Sequence, residues 1–169
     1  MQSIATLPPG TLADPRTPLN GRQSKPVLLV AEDNDMDALL LERVLERSGS
    51  TFLMQRVPDG EQAIAYLEGT GAFRDRTRHP LPDVLLLDLK MPRKDGFDVL
   101  RWRQQVTTAK FVPVVVFSSS NLPEDVQRAY SLGANSYVAK PSGPQRLDRF
   151  VRSLQEWWAD LNLTALTPL

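Results

Sequence analysis

The sequence contains no cysteine, which removes disulfide frameworks, thiol nucleophiles and thiolate metal sites from consideration. It carries no excess of either charge: 20 basic residues balance 20 acidic ones. Nothing in that balance points to nucleic acid or an anionic membrane as partner, and neither is expected. No stretch approaches the ~18 uninterrupted apolar residues of a membrane span. The opening MQSIATLPPGTLADPRTPLNGRQSKP lacks the apolar core of a signal peptide. A soluble, cytoplasmic protein is the expectation. Histidine occurs once, at His79, so a metal centre built on imidazole is not expected.

What is present is the composition of one globular domain. The chain has 169 residues, of which 41% are apolar and 24% charged, enough to bury a real core. Residues 1–25 are rich in Pro, Thr, Gly and Ser without periodicity and read as an extended arm. Residues 26–158 carry the domain, and 159–169 continue as an apolar tail.

Within the domain, short apolar runs alternate with helical patterns. PVLLVA (26–31) reads as a buried strand, followed by a helix in which Met36, Leu39, Leu40 and Val44 recur at helical spacing, with Gly49 as the stop. TFLMQRVP is a weaker strand, and GEQAIAYLEG is a helix bounded by glycines. TGAFRDRTRHPLP reads as a polar, solvated loop. DVLLLD is a third strand, and GFDVLRWRQQ a helix with Phe97, Leu100 and Val99 or Trp102 as inner-face candidates. FVPVVVFSSS, PEDVQRAYSLG and NSYVAK give strand, helix and strand. A long last helix follows, with Leu147, Phe150, Val151, Leu154, Trp158 and Leu161 as one stripe. Five alternations with unbroken apolar strands predict a doubly wound α/β fold with a five-stranded parallel sheet covered on both faces.

The strand ends carry the chemistry. The first strand ends in Glu32-Asp33, the third in Asp88, the fourth in Ser118 and the fifth in Lys140, followed by Pro141. In a parallel sheet these ends converge on one edge, where ligands bind. Three carboxylates placed together repel, and each loses water. A hard divalent cation such as Mg²⁺ relieves both costs and leaves room for a phosphate. Lys140 could pair with that phosphate, and Ser118 could donate a hydrogen bond to it. Asp88 then reads as a nucleophile that accepts a phosphoryl group. An Asp placed to cap the following turn is the bland alternative, and it does not account for the other charged strand ends.

VAEDN (30–34), LLLDLKMPRKDG (85–96), PVVVFSSS (113–120) and NSYVAKP (135–141), taken together and in this order, resemble a response-regulator receiver domain of two-component signalling. The resemblance implies a flavodoxin-like (βα)5 fold with strand order 2-1-3-4-5. It implies Asp88 as phosphoacceptor for a sensor histidine kinase and Glu32 and Asp33 as the acidic pair serving Mg²⁺. The Lys90 main-chain carbonyl becomes a further metal ligand. It also implies Ser118 as switch hydroxyl, Tyr137 as aromatic switch, Lys140 as the phosphate-pairing lysine, and a cis bond before Pro141. The pair is Glu-Asp where Asp-Asp is more common, and the switch is Ser where Thr is frequent. The long loop 69–82, the long last helix, the apolar tail and the absence of room for a DNA-binding output domain make the chain similar to regulators paired with bacterial phytochrome histidine kinases.

Two other readings compete. A receiver-like module could bind a partner without phosphorylation, although Asp88, Ser118 and Lys140 are all present. An aspartyl-phosphate phosphatase wants a second Asp two positions after the nucleophile, and Lys90 stands there. At the C-terminal end, Trp157 and Trp158 are adjacent, ~100° apart on a helix, and cannot both face one core. With Leu161 and Leu163 they are the candidates for a homodimer interface.

Overall fold

Each apolar run is a strand whose residues divide between two cores. In the computed structural model, which describes residues 25–106 and 111–161, the strands are β1 (Val27–Ala31), β2 (Leu53–Val57), β3 (Val84–Leu87), β4 (Val114–Ser118) and β5 (Ser136–Ala139). All pair in parallel, in the order β2-β1-β3-β4-β5. The helices are α1 (Asp35–Arg47), α2 (Gly60–Glu68), α3 (Gly96–Gln105), α4 (Pro123–Ser131) and α5 (Pro144–Leu154). The expected doubly wound α/β fold is therefore the observed one.

Side chains alternate across a strand, so the unbroken runs feed both faces. Leu29, Ala31, Leu85, Leu87, Val114 and Val116 pack with Tyr66, Leu67, Phe97, Val99 and Leu100 of α2 and α3. Leu28, Val30, Val84, Leu86, Val115 and Phe117 pack with Leu41, Val44 and Leu45 of α1 and with Leu147, Val151 and Leu154 of α5. Each such aliphatic side chain stabilises the fold by about 1.5–3 kcal/mol.

The phase of α1 differs from the expected one. Asn34 caps the helix, its side chain accepting the N–H groups of Met36 and Asp37. Ala38, Leu41, Val44 and Leu45 then face the sheet. Met36, Leu39 and Leu40 are exposed instead, Met36 at 72%. Leu39, Leu40 and Leu41 are consecutive, so hydrophobicity alone fits more than one phase.

The last helix also departs from a single stripe. After Leu154 the chain continues as a π-helical segment, Gln155–Leu161. Widening the repeat toward i→i+5 brings Ala159 into the core five positions after Leu154. Leu161 consequently lies 46% exposed rather than on the inner stripe. Trp158 packs partly against the core, and Trp157 is 61% exposed. The arm up to residue 24 and Leu163 lie outside the described residues.

The loop between α2 and β3 is more structured than a solvated connection. A 3-10 turn, Gly71–Phe73, opens it. Arg76 donates to the carbonyls of Tyr66, Leu67 and His79, closing the C-terminal end of α2. Phe73 and His79 pack their rings on each other and on Tyr66.

Candidate functional site

The carboxyl ends of β1, β3, β4 and β5 bring the expected residues to one edge. Lys140 Nζ lies 2.6 Å from Glu32 Oε2, 2.8 Å from Asp88 Oδ2 and 3.0 Å from Asp37 Oδ2. Carboxylate oxygens of Glu32, Asp33 and Asp88 fall within 4.8 Å of one another. Glu32 and Asp88 are buried, whereas Asp33 is exposed. Three carboxylates, Glu32, Asp88 and Asp37, thus share one ammonium, and Asp33 adds a fourth negative charge beside them.

Burial pushes the Glu32 carboxyl up from its ordinary value, with the Lys140 contact opposing. Burial alone would lower the Lys140 pKa. The hydrogen bonds to Asp88, Glu32 and Asp37 outweigh that and raise it above the usual lysine value. Lys140 is therefore a permanent cation, and the acidic excess around it is left for something else to balance. Three clustered hard oxygen donors fit a divalent cation of the Mg²⁺ type. Lys90, expected to add its carbonyl, donates its N–H to Asp88 Oδ1 at 3.2 Å.

Backbone packing fixes the two acidic loops. A Cβ on Gly96 would stand 2.3 Å from the Asp88 carbonyl oxygen, and one on Gly60 2.4 Å from that of Lys94. Only glycine permits both approaches. Arg93 takes up a left-handed backbone, φ 64°, and donates to the buried Asp59 carboxylate at the start of α2. A single left-handed non-glycine residue costs about 1–3 kcal/mol, offset here by a charge-assisted bond. Arg56 of β2 ties down the other loop: its Nε donates to the Glu32 carbonyl at 3.1 Å and its Nη2 to that of Asp33 at 3.3 Å. The same guanidinium pairs with Asp35 at 2.7 Å.

The hydroxyl side of the site is held differently. Ser118 is fully buried, and its Oγ accepts the Ser120 N–H at 3.4 Å. Ser120 Oγ donates to Asp125 at 2.5 Å, and Tyr137 Oη donates to the Ser120 carbonyl at 2.9 Å. Burial pushes the Tyr137 hydroxyl up from its ordinary pKa.

One expected feature is corrected. The Lys140–Pro141 bond is trans, as are all peptide bonds among the described residues. Trans remains preferred by ~0.5–1 kcal/mol even before proline. The chain reverses into α5 at Gly143 instead, whose φ is 89°. Trp157, Trp158 and Leu161 lie in the π-helical segment beyond α5, and not in this cluster.

Sequence reading missed Asp37, Arg56, the Asp59–Arg93 pair and Asp125. The only signals for them were local: Asp37 in a first helical turn, Asp59 before a glycine at a helix start.

The family model of the response regulator receiver domain matches residues 28–152. The probable methanogenesis regulatory protein FilR2 of Methanothrix harundinacea is 37% identical over 139 residues, covering 80% of this chain and 85% of that protein. The crystal structure of response regulator RPA3017, in red light signaling of R. palustris, superposes with a TM-score of 0.79 at 37% identity, covering 84% of this chain and 99% of that one. The phosphorylated cyanobacterial phytochrome response regulator RcpA gives a TM-score of 0.77 at 32% identity, again covering 84% and 99%.

Proposed function

We propose that this chain, which belongs to the response-regulator receiver family, is a phosphorylation-dependent switch that accepts a phosphoryl group on Asp88 from a sensor histidine kinase. The observation that carries the reading is the Asp88 carboxylate 2.8 Å from Lys140 Nζ and beside the Glu32 and Asp33 carboxylates. Asp88 Oδ donates its electron pair to phosphorus, the bond to the donor's imidazole nitrogen breaks, and that nitrogen keeps the pair and takes up a proton. Lys140 pairs with a phosphoryl oxygen as a point charge. Glu32, Asp33, Asp88 and the Lys90 carbonyl would hold Mg²⁺, which when bound neutralises charge on the transferring group.

Ser118 then donates its hydroxyl to a phosphoryl oxygen, and Tyr137 follows into the vacated space. The phosphoryl group acts only through its different contacts in the two states. The named relatives in red-light and phytochrome signalling support a bacterial phytochrome as the kinase partner.

The test is labelling from acetyl phosphate with Mg²⁺. Wild type takes up one acid-stable, base-labile phosphoryl group, and Asp88→Asn takes up none while keeping its fold. Undiminished labelling of Asp88→Asn would sink the assignment, and so would labelling of the wild type that chelation leaves unchanged. A module working without phosphorylation predicts no labelling and partner binding indifferent to acetyl phosphate.

A two-fold homodimer is the second part of the proposal. Trp157 and Leu161 are 61% and 46% exposed in the segment after α5, and Tyr130 is 49% exposed on α4. Trp158, Phe150 and Val138 line an adjoining groove. A closed two-fold pairing would bury exposed apolar side chains of this kind. Sedimentation of a Trp157→Arg/Trp158→Gln double variant should show monomer where the wild type shows dimer. A wild type that is monomeric at micromolar concentration with and without acetyl phosphate ends this part alone.

A further inference from the structure

An ammonium group has three N–H donors. In this structure all three of Lys140's carboxylate partners come from different elements: Glu32 after β1, Asp88 after β3, and Asp37 in the first turn of α1. Glu32 and Asp88 belong to the acidic cluster that can hold a cation; Asp37 does not. Its side chain does not cap its own helix either, because Asn34 fills that role. Asp37 is instead aimed across the mouth of the site, Oδ2 lying 3.0 Å from Lys140 Nζ while the carboxylate stays 44% exposed.

We infer that Asp37 is a positioning residue for phosphotransfer: it holds the Lys140 ammonium at the site by the one bond that the reaction does not need to break. The inference rests on the proposed phosphoacceptor reading. When Asp88 becomes an acyl phosphate and Glu32 turns to a cation, Lys140 gives up both partners. A lysine side chain has four flexible carbons and costs about 2 kcal/mol of rotamer freedom to fix. With Asp37 in place, one N–H stays anchored and another is free for a phosphoryl oxygen. Without Asp37, the amine loses its anchors at the step that requires it.

Two simpler roles make different predictions. If Asp37 only complements the α1 dipole, removing it lowers the melting temperature and leaves the labelling rate alone. If it acts only as a fourth negative charge near the site, removing it speeds labelling by an anionic donor, equally in Asn and Ala variants, and most at low salt.

The experiment compares initial labelling rates from acetyl phosphate with Mg²⁺ for wild type, Asp37→Ala, Asp37→Asn, Lys140→Ala and the Asp37→Ala/Lys140→Ala double variant, each checked for its fold by circular dichroism. The expected result is an about tenfold slower rate in Asp37→Ala, in line with the worth of a hydrogen bond to a charged group. Asp37→Asn, which retains an acceptor oxygen, should lose less than about threefold. In the Lys140→Ala background, Asp37→Ala should cost nothing further, because the residue acts through the lysine. An unchanged or faster Asp37→Ala overturns the inference, as does an equal loss with and without Lys140. If instead the wild type itself is not labelled, the phosphoacceptor reading fails and this inference falls with it.

Discussion

Two clusters meet at the carboxyl edge of the sheet, and they are held by different forces. Around Lys140 every partner is a carboxylate, at 2.6–3.0 Å. Around Ser118 the links are those of hydroxyls, amides and a carbonyl, with Asp125 the one carboxylate partner among these bonds. Charge-assisted bonds are about twice as strong as neutral ones, and a neutral bond is worth ~1 kcal/mol net. Under the proposed function, this arrangement would let the site keep its chemistry while its surface changes. An added phosphoryl group would meet a cation already fixed, and most of the contacts on the Ser118 side are the weaker ones. The ways to break this contrast are ordered below by the size of the effect expected.

Lys140→Ala attacks the charged cluster and should have the largest effect. It leaves Glu32 and Asp88, both buried, without their shared cation. Removing one partner of a buried pair costs about 3–5 kcal/mol. Part of Lys140 is exposed, so a loss nearer 3 kcal/mol is expected at pH 8 without divalent cation, measured by urea unfolding. The pH dependence follows from the shifts. The Glu32 carboxyl is already raised by burial and goes further up without the lysine. Its ionised form is what the folded state resists, so the deficit shrinks as pH falls and Glu32 takes up a proton. The Lys140 pKa is raised in the fold, so its stabilisation is fully present below the ordinary lysine value of ~10.5 and is lost as pH rises from there through the higher folded value. A wild-type–variant gap that is flat from pH 5 to 8 would contradict the charge-based account.

Arg93→Gly tests whether the bracing of the loop after Asp88 belongs to the charged side. Glycine relieves the left-handed backbone of Arg93 but strips the guanidinium from Asp59, which is fully buried. The lost pair should outweigh the relieved strain, for a net loss of about 1–2 kcal/mol in urea unfolding. A more stable Arg93→Gly would show the pair to be decorative and the strain dominant.

The residues that carry the charged cluster were legible in the sequence because the fold itself gathers them. Once five parallel strands are recognised, Glu32, Asp88 and Lys140 can only end on one edge. The partners that tune them were not legible. Asp37 and Lys140 are 103 positions apart, and Asp59 and Arg93 are 34 apart; nothing local says which charges will meet. The phase of α1 failed for a related reason. Three consecutive leucines satisfy several helical stripes, and the Asn34 cap decides among them. The π-helical segment after Leu154 is a change in hydrogen-bond register that no composition announces, yet it moves Ala159 inward and Leu161 outward. Pro141 was read from resemblance, and the Gly143 turn does without the cis bond.

Ser118→Ala moves the attack to the neutral side. It removes the acceptor of the Ser120 N–H, and a buried donor left unsatisfied costs about 1–3 kcal/mol. The bond is long, so the low end is expected. Labelling of Asp88 should persist within a few-fold, whereas the phosphorylation-dependent change in partner affinity should weaken. Equal affinity gain in phosphorylated wild type and phosphorylated Ser118→Ala would remove Ser118 from the switch.

The smallest effect is expected from Tyr137→Phe, and it sharpens the contrast most. The substitution deletes one hydroxyl and leaves the ring. Its bond to the Ser120 carbonyl, 2.9 Å, is the link between β5 and the β4–α4 loop. The ring is only partly buried, so the stability change should stay below about 1 kcal/mol. The hydroxyl's hydrogen bond goes to the Ser120 carbonyl and not to Lys140 or its carboxylates, although the Asp88 charge reaches it, so labelling kinetics should stay close to wild type. What should change is the balance between surface states. Without the bond that holds Tyr137 to Ser120, the ring is freer to move before any phosphoryl group arrives. The unphosphorylated variant should therefore bind its partner, or itself, more tightly than unphosphorylated wild type, and the gain on phosphorylation should be correspondingly smaller. Nuclear magnetic resonance of the Tyr137 and Ser120 amides would report the same shift directly. A slower labelling rate in Tyr137→Phe would mean that the hydroxyl serves the charged cluster too, and the separation between a fixed chemical half and a movable neutral half would not hold.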